Sequence, residues 1–301
     1  MTAVVTKPLD AAAPAVARRR GAKGGLPRIL LHVIVIGLAV LWLVPTFALF
    51  VNSFRPAAEV GASGWWTALF PPWDFTTDNY SRVIAANNLG DSFINSLFIT
   101  IPSTVIPVMV AAFAAYAFAW MDFPYKNAIF VGIVGLLVIP LQSTLIPVLR
   151  LLAGWGIAGE FLAVWLAHTG YGLPFAVYLL RNYMGNLPRE VFESASIDGA
   201  SPATAFFRLA LPMSVPVLAS LAIFQFLFVW NDLLVSLIYI GPTDPDNLPM
   251  TVVVASLVSS LGGETHFLTA AAFLTMILPL VVFIGLQRYF VRGITGGAVK
   301  G

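Results

Sequence analysis

Two groups of polar residues interrupt an otherwise apolar chain, and neither has the make-up of a catalytic centre. The first lies in residues 188–216, where Glu190, Glu193 and Asp198 stand among small residues and prolines. Pro188 suits the first turn of a helix, where a missing N–H costs little, and Asn186 can cap the free donors. Gly199 permits the left-handed turn that ends such a helix, and Ser201 followed by Pro202 reads as the N-cap and first position of another. The spacing therefore predicts helix, tight turn, helix. On the second helix Ala203, Phe206, Phe207 and Ala210 recur to give one apolar face, while Thr204 and Arg208 stay polar. Such a face needs a partner surface. By composition alone the stretch is equally a polar loop between two apolar helices, with the caps any helical hairpin carries.

The second group is Gln225, Trp230, Asn231 and Asp232, with Gln142 beside Pro140 as a further candidate. An aromatic face with polar ends can stack on a ring and take its hydroxyls. Asp232 is the one ionisable residue inside an apolar stretch, and an intramembrane acid should face the bundle interior or water. A helix starting near Pro212 carries Asp232 roughly 30 Å along, so a boundary position is the other reading. The chemistry that is absent narrows the field further. There is no cysteine, and His32, His168 and His266 are far apart, which argues against a metal site. No GxxxxGK[ST] phosphate loop, HExxH or GxSxG occurs.

The elements that must position these residues are membrane helices. Of 301 residues 59% are hydrophobic and 10% charged, against about 25% charged in an average soluble domain. Residues 1–28 read as a disordered basic tail holding Arg18, Arg19, Arg20, Lys23 and Arg28. The uncharged run that follows, 29–54, exceeds the apolar core of a signal peptide and reads as a span that is retained. Cutting at charged residues predicts six spans, at about 29–54, 92–121, 127–149, 161–180, 209–240 and 265–287. With the N-terminus inside, 13 of the 16 Lys and Arg residues are cytoplasmic and only Arg55, Arg82 and Arg150 lie outside. Both termini and residues 188–216 are then cytoplasmic.

The outer segment 55–91 carries Trp65, Trp66 and Trp73, which read as interfacial anchors or as a platform or lid for an external partner. Residues 241–264 hold Asp244, Asp246 and Glu264 without Lys or Arg, as a partner contact or a solvated loop would. Pro102, Pro107, Pro140, Pro147, Pro174, Pro212, Pro216 and Pro279 fall in the spans. Each removes a backbone hydrogen bond, so broken helices around a cavity or ordinary kinks are both expected.

The run Glu193-Ser194-Ala195, Asp198-Gly199-Ala200, Phe206, Leu211-Pro212 and Pro216 resembles the EAA loop of permease subunits of binding-protein-dependent ABC importers. Ser194 stands where that family usually has Ala. Further stretches resemble the MalG-like half of carbohydrate importers: Asn95-Ser96, 114–117, Phe123-Pro124, Leu173-Pro174-Phe175, Trp230-Asn231-Asp232 and 293–301. Residues 63–69 look like α-glucoside permeases, although here the chain passes at once to Pro71-Pro72 where those carry an external insertion.

The resemblance implies an all-α, six-helix membrane protein of the type I importer (MetI-like) permease fold in a prokaryotic cytoplasmic (inner) membrane. It also implies a coupling region, 188–211, seated on a separate ATPase, with Glu193, Ser194, Ala195, Asp198, Gly199, Ala200, Phe206, Phe207 and Pro212 carrying that role. Gly296, Gly297, Ala298 and Lys300 in the C-terminal tail, 293–301, would enter the ATPase dimer interface. Gln142, Gln225, Trp230, Asn231 and Asp232 would line a sugar pathway, the sugar being an α-glucoside or a disaccharide such as maltose, trehalose or sucrose. The implied partners are a MalF-like second permease, a MalK-like ATPase dimer that binds ATP and Mg, an external sugar-binding protein and membrane lipid, with no nucleic acid. This chain would hold no cofactor and perform no catalysis. The rival readings are a secondary sugar transporter driven by an ion gradient and a membrane glycosyltransferase using Glu190, Glu193 and Asp198.

Overall fold

The computed structural model describes residues 25–86, 89–241, 245–260 and 265–298. Residues 1–24 of the basic tail, Asp244, Glu264 and Lys300 lie outside the described residues. Every described regular element is helical. In chain order these are α1 (Gly25–Ser53), α2 (Ala57–Ala62), α3 (Asp78–Ala86), α4 (Leu89–Trp120), α5 (Lys126–Gly135), α6 (Leu141–Gly154) and α7 (Phe161–Met184). Then follow α8 (Arg189–Ile197), α9 (Pro202–Ala205), α10 (Leu211–Met213), α11 (Val215–Trp230), α12 (Leu234–Tyr239), α13 (Met250–Ser260) and α14 (Thr265–Ala298).

The chain divides into two units, one ending at Phe47 and the other starting at Ala48. The described part of the first is a single helix with apolar side chains exposed all round, as a lipid-facing span requires. In the second, α4 and α7 form the central pair. Ala111, Ala112 and Ala115 on α4 meet Ala176, Val177 and Leu180 on α7 in one buried cluster. Small residues let two backbones approach closely where lipid gives no hydrophobic drive for helix pairing. A second cluster joins Ile99 of α4 to Ala163, Val164 and Ala167 of α7, Leu145 and Leu152 of α6, and Val235 and Tyr239 of α12.

Among the described residues four helices are long and apolar enough to cross a membrane, and the number rises to six if each of two bent pairs is one span. Two of the segments that the sequence places as spans, 127–149 and 209–240, are sharply bent, the broken form that their prolines allow. Lys126–Val138 and Leu141–Gly154 meet at 106°, and Pro202–Met213 and Val215–Trp230 meet at 73°. Pro140, with extended ψ of 128°, starts the second arm of the first pair, and Pro216 starts that of the second. Neither proline can continue the preceding helix's hydrogen bonding. Toward the C-terminus α14 carries through Gly293, Gly296 and Gly297 to Ala298, where composition alone reads a flexible tail.

Arg55 organises the segment after α1. It is 2% exposed and donates to Asn52 Oδ1, to the carbonyls of Glu59 (2.9 Å) and Ser63 (3.2 Å), and to Ser63 Oγ at 2.5 Å. The Glu59 carboxylate stands 3.9 Å away, and Asn79 Nδ2 bridges the carbonyls of Ser53 and Arg55 at 2.9 Å each. A buried guanidinium so satisfied by carbonyls is costly to truncate, because those acceptors lose their donors. Arg55→Ala is therefore expected to destabilise this segment by about 2–4 kcal/mol. Chymotryptic cleavage between residues 65 and 75 should accelerate in the purified variant while the rest of the chain keeps its resistance; unchanged cleavage contradicts the role.

Candidate coupling surface and membrane polar core

The polar loop folds as helix, turn, helix. Pro188 is the N-cap of α8 without a side-chain bond, and Asn186 donates to Asn182 O at 2.6 Å. The turn follows from Gly199, whose φ is +79°. The N–H of Ala200 reaches Ala195 O (2.9 Å) and that of Gly199 reaches Ser196 O (3.1 Å), a Schellman closure that needs a left-handed residue. Ser201 Oγ accepts from Thr204 N at 3.2 Å, as expected of the N-cap before Pro202. Ser194 turns its hydroxyl back to Glu190 O at 2.8 Å.

Two aromatic seats hold this loop to α4. Phe192 is buried and stacks on Trp120, ring centroids 3.9 Å apart and 20° between planes, while Trp120 Nε1 donates to Met184 O at 3.0 Å. Phe206 is buried against Phe113 (4.7 Å, stacked) and Tyr116 (5.3 Å, edge-on). The predicted single apolar face is corrected in part. Phe206 and Ala210 are buried, but Ala203 is exposed and Phe207 is 54% exposed, touching Phe113 only edge-on at 5.9 Å. Residues Phe206–Ala210 form a π-turn, and its wider spacing breaks the three-and-four register of an α-helix. Glu193, Ser194, Asp198, Gly199 and Pro212 are exposed, Ala195 and Ala200 half-buried, and Ile197 is 86% exposed. Ile197 is a large aliphatic side chain exposed beside Glu193 and Asp198, and neither it nor Phe192 nor Trp120 is singled out by the sequence pattern.

Within the membrane helices a second set of polar groups converges where α11 gives way to α12. Asp232 Oδ2 caps α12 by accepting from Val235 N (3.0 Å) and Ser236 N (3.2 Å), and lies 3.7 Å from Nε2 of the fully buried His168 on α7. Gln225 Nε2 donates to Ser103 O at 3.2 Å and to His168 O at 3.5 Å. Tyr171 and Tyr239 join their hydroxyls at 2.7 Å, and Thr144 donates to Tyr171 at 3.2 Å. The buried hydroxyls of Ser103 and Thr104 and both ring nitrogens of His168 have no hydrogen-bond partner among the described residues. A cleft of about 260 Å³ opens beside them, lined by Tyr171, Gly172, Phe175, Phe224, Gln225 and Phe228.

The other candidates do not join this cluster. Trp230 is buried between Phe93 and Phe226 and donates to Thr275 O at 3.0 Å. Asn231 is exposed and bonds back to Leu227 O, and Gln142 is exposed in the first turn of α6. In the sequence His168 counts only as one of three histidines too far apart for a metal site, and Tyr171 is not singled out. A histidine within an uncharged span was the available signal.

Residues 83–296 match the family described as binding-protein-dependent transport system inner membrane component. The chain belongs to this family. It is 52% identical over 273 residues to the osmoprotective compounds uptake permease protein GgtD of Synechocystis sp., covering 90% of this chain and 91% of that protein. It is also 52% identical over 256 residues to the alpha-glucoside transport system permease protein AglG of Rhizobium meliloti, covering 83% of this chain and 67% of that one. Its fold is that of a chain in the crystal structure of a bacterial ABC transporter involved in alginate import, with a TM-score of 0.75 at 19% identity over 90% of this chain and 99% of that one.

The protein is thus a permease subunit of a sugar ABC importer, a multi-pass component of the inner membrane with the all-helical MetI-like fold. The family resemblance read from the loop motif is correct, and the ion-gradient transporter and the glycosyltransferase fall away.

Gly172 supplies a test of the polar core. A Cβ there would lie 2.6 Å from Gln225 Oε1 and 2.8 Å from Nε2. Gly172→Ala is expected to push the amide off the Ser103 and His168 carbonyls at a cost of about 1–3 kcal/mol. In a Gln225→Ala background the same change should be nearly silent. Thermal unfolding of the four proteins of this cycle measures the coupling, and additive effects contradict the packing described.

Proposed function

We propose that residues 188–211 are the coupling helix through which a separate, MalK-like ATPase dimer drives this permease, with both termini in the cytoplasm. The observation that carries the reading is the division of the loop into two faces. Phe192 and Phe206 are stacked into α4, while Glu193, Asp198 and Ile197 are exposed, uncovered by any of the described residues. A displacement of the outer face would be carried by rigid aromatic contacts into α4 and, through their alanine-rich pairing, into α7. Gly199 supports the shape of the turn, Ser194, Ala195, Ala200 and Pro212 complete its surface, and Phe207 adds exposed aromatic area. Gly296, Gly297, Ala298 and Lys300 would reach the ATPase dimer from the C-terminus, and a MalF-like permease and an external sugar-binding protein would complete the complex.

The substrate we assign is a neutral α-glucoside small enough to serve as an osmolyte, such as trehalose or sucrose. Two relatives of equal identity support this jointly, one named for alpha-glucoside transport and one for osmoprotective compounds. The aromatic cleft with Gln225 at its wall suits a pyranose, whose apolar face stacks on Phe175 or Phe228 while its hydroxyls take the amide. Asp232 and His168 would act one layer behind, holding the α11–α12 break in place. Trp230, Asn231 and Gln142 would have no direct contact with sugar in this arrangement.

A residue with a Cβ at the left-handed position of the turn is strained by roughly 1–2 kcal/mol, more for a β-branched one. Gly199→Val is therefore expected to insert and assemble normally but to lose ATP-driven uptake, with ATP hydrolysis no longer stimulated by the loaded binding protein. Sugar uptake in proteoliposomes, measured beside ATP hydrolysis, checks this. Uptake equal to that of the unaltered protein would count against the coupling role.

A further inference from the structure

Residues 56–77, between α1 and α3, contain no Lys or Arg and only two acids, Glu59 and Asp74. Their largest side chains point away from the protein: Trp66, Phe70 and Trp73 are 59%, 66% and 66% exposed, and Leu69 and Phe75 about half. The backbone beneath them is nevertheless fixed. Arg55 gathers the carbonyls of Glu59 and Ser63, Thr67 turns its hydroxyl to Gly64 O at 2.8 Å, and Thr76 N donates to Phe54 O at 2.7 Å.

The same clip fixes the depth of the segment. Phe54 packs on Tyr80 (5.0 Å), Phe50 on Phe273 (5.2 Å), and Arg82 lies over Phe267 at 5.9 Å. The segment therefore sits against the last turn of α1 and the first turns of α14, both helices long and apolar enough to span a bilayer. Helix ends mark the level where hydrocarbon gives way to headgroups, the level at which Trp and other aromatic rings partition best.

We propose that residues 64–75 are a preformed lipid-binding plate that seats its aromatic side chains in the interface of the outer leaflet. The occupant is membrane lipid because the segment is pinned by the end of α1 and the first turns of α14, two helices long and apolar enough to span a bilayer, and turns its aromatic side chains outward there. Having no basic residue, it takes neutral and zwitterionic headgroups as readily as anionic ones. The inference rests on the outer placement of this segment given by the distribution of Lys and Arg.

Because the chain has no cysteine, an introduced thiol is the only one it carries. Trp66→Cys, Phe70→Cys and Trp73→Cys, made singly in the tagged full-length chain within the assembled importer, are treated in intact cells with a membrane-impermeant polymer-linked maleimide and read as a gel shift. Ser81→Cys, an exposed position on α3, is the reference. The three plate positions are expected to label at least tenfold more slowly than Ser81→Cys, with or without the external binding protein, and to reach its rate once detergent dissolves the membrane. Labelling as fast as the reference in intact membranes overturns the proposal. Slow labelling that depends on the binding protein's presence also overturns it and gives the plate to that protein. If Ser81→Cys itself labels only after permeabilisation, the outer placement beneath the inference fails.

Discussion

A backbone inside a bilayer has no water to satisfy it, and the whole second unit depends on how its broken helices meet that constraint. Where α11 stops at Trp230, the Asp232 carboxylate accepts from the N–H groups of Val235 and Ser236 and so starts α12. Thr251 donates to Asp232 O at 2.8 Å and ties the same break to α13. His168 beside the carboxylate, and Gln225 bridging carbonyls of α4 and α7, extend the support across three helices. A carboxyl group in an apolar stretch is expensive to bury, and here the backbone donors of α12 compensate it.

The helix ends near residues 120 and 184 are tied to the polar loop by equally specific contacts. Small-residue packing between α4 and α7 leaves little free volume for adjustment, so contacts made at one end of α4 are felt along it. Trp120 is the junction: it stacks on Phe192 of the polar loop and donates to the last turn of α7. Phe113 and Tyr116 repeat the arrangement for Phe206 about one turn away. The two stacked pairs bury Phe192 and Phe206 against α4, whereas the exposed acids and Ile197 make no such contact and are open to another protein. The division of labour within one loop is what a coupling element requires.

Much of this was legible in the sequence because the relevant rules are local. Gly199 and Ser201-Pro202 place the turn and the following helix start, the charge distribution separates loops from spans, and the loop motif carries the family. The failures have local causes of another kind. The π-turn at Phe206–Ala210 could not be read from a pattern of three and four, which is why Phe207 was placed on the buried face. Pro140 and Pro216 signalled breaks, but a proline alone does not say whether a helix kinks or turns by 106°. His168 and Tyr171 are neighbours on one face of α7, but Tyr239 and Asp232 lie more than sixty residues on and join them only when α7 packs against α12. Trp230 looked like a sugar-stacking residue, yet its neighbours Phe93 and Phe226 make it core.

The central claim is that the outward face of α8 docks on the ATPase, and the most direct measurement is a cross-link from its most exposed apolar residue. Ile197→Cys, in a chain with no other thiol, can be joined by a short photoactivatable maleimide to whatever lies against it in the assembled importer. The account predicts one dominant adduct with the ATPase subunit, its yield changing between nucleotide-free and ATP-bound complexes. An adduct with the second permease or the external binding protein, or a thiol that stays freely reactive to water-soluble reagents with the ATPase in place, would contradict it.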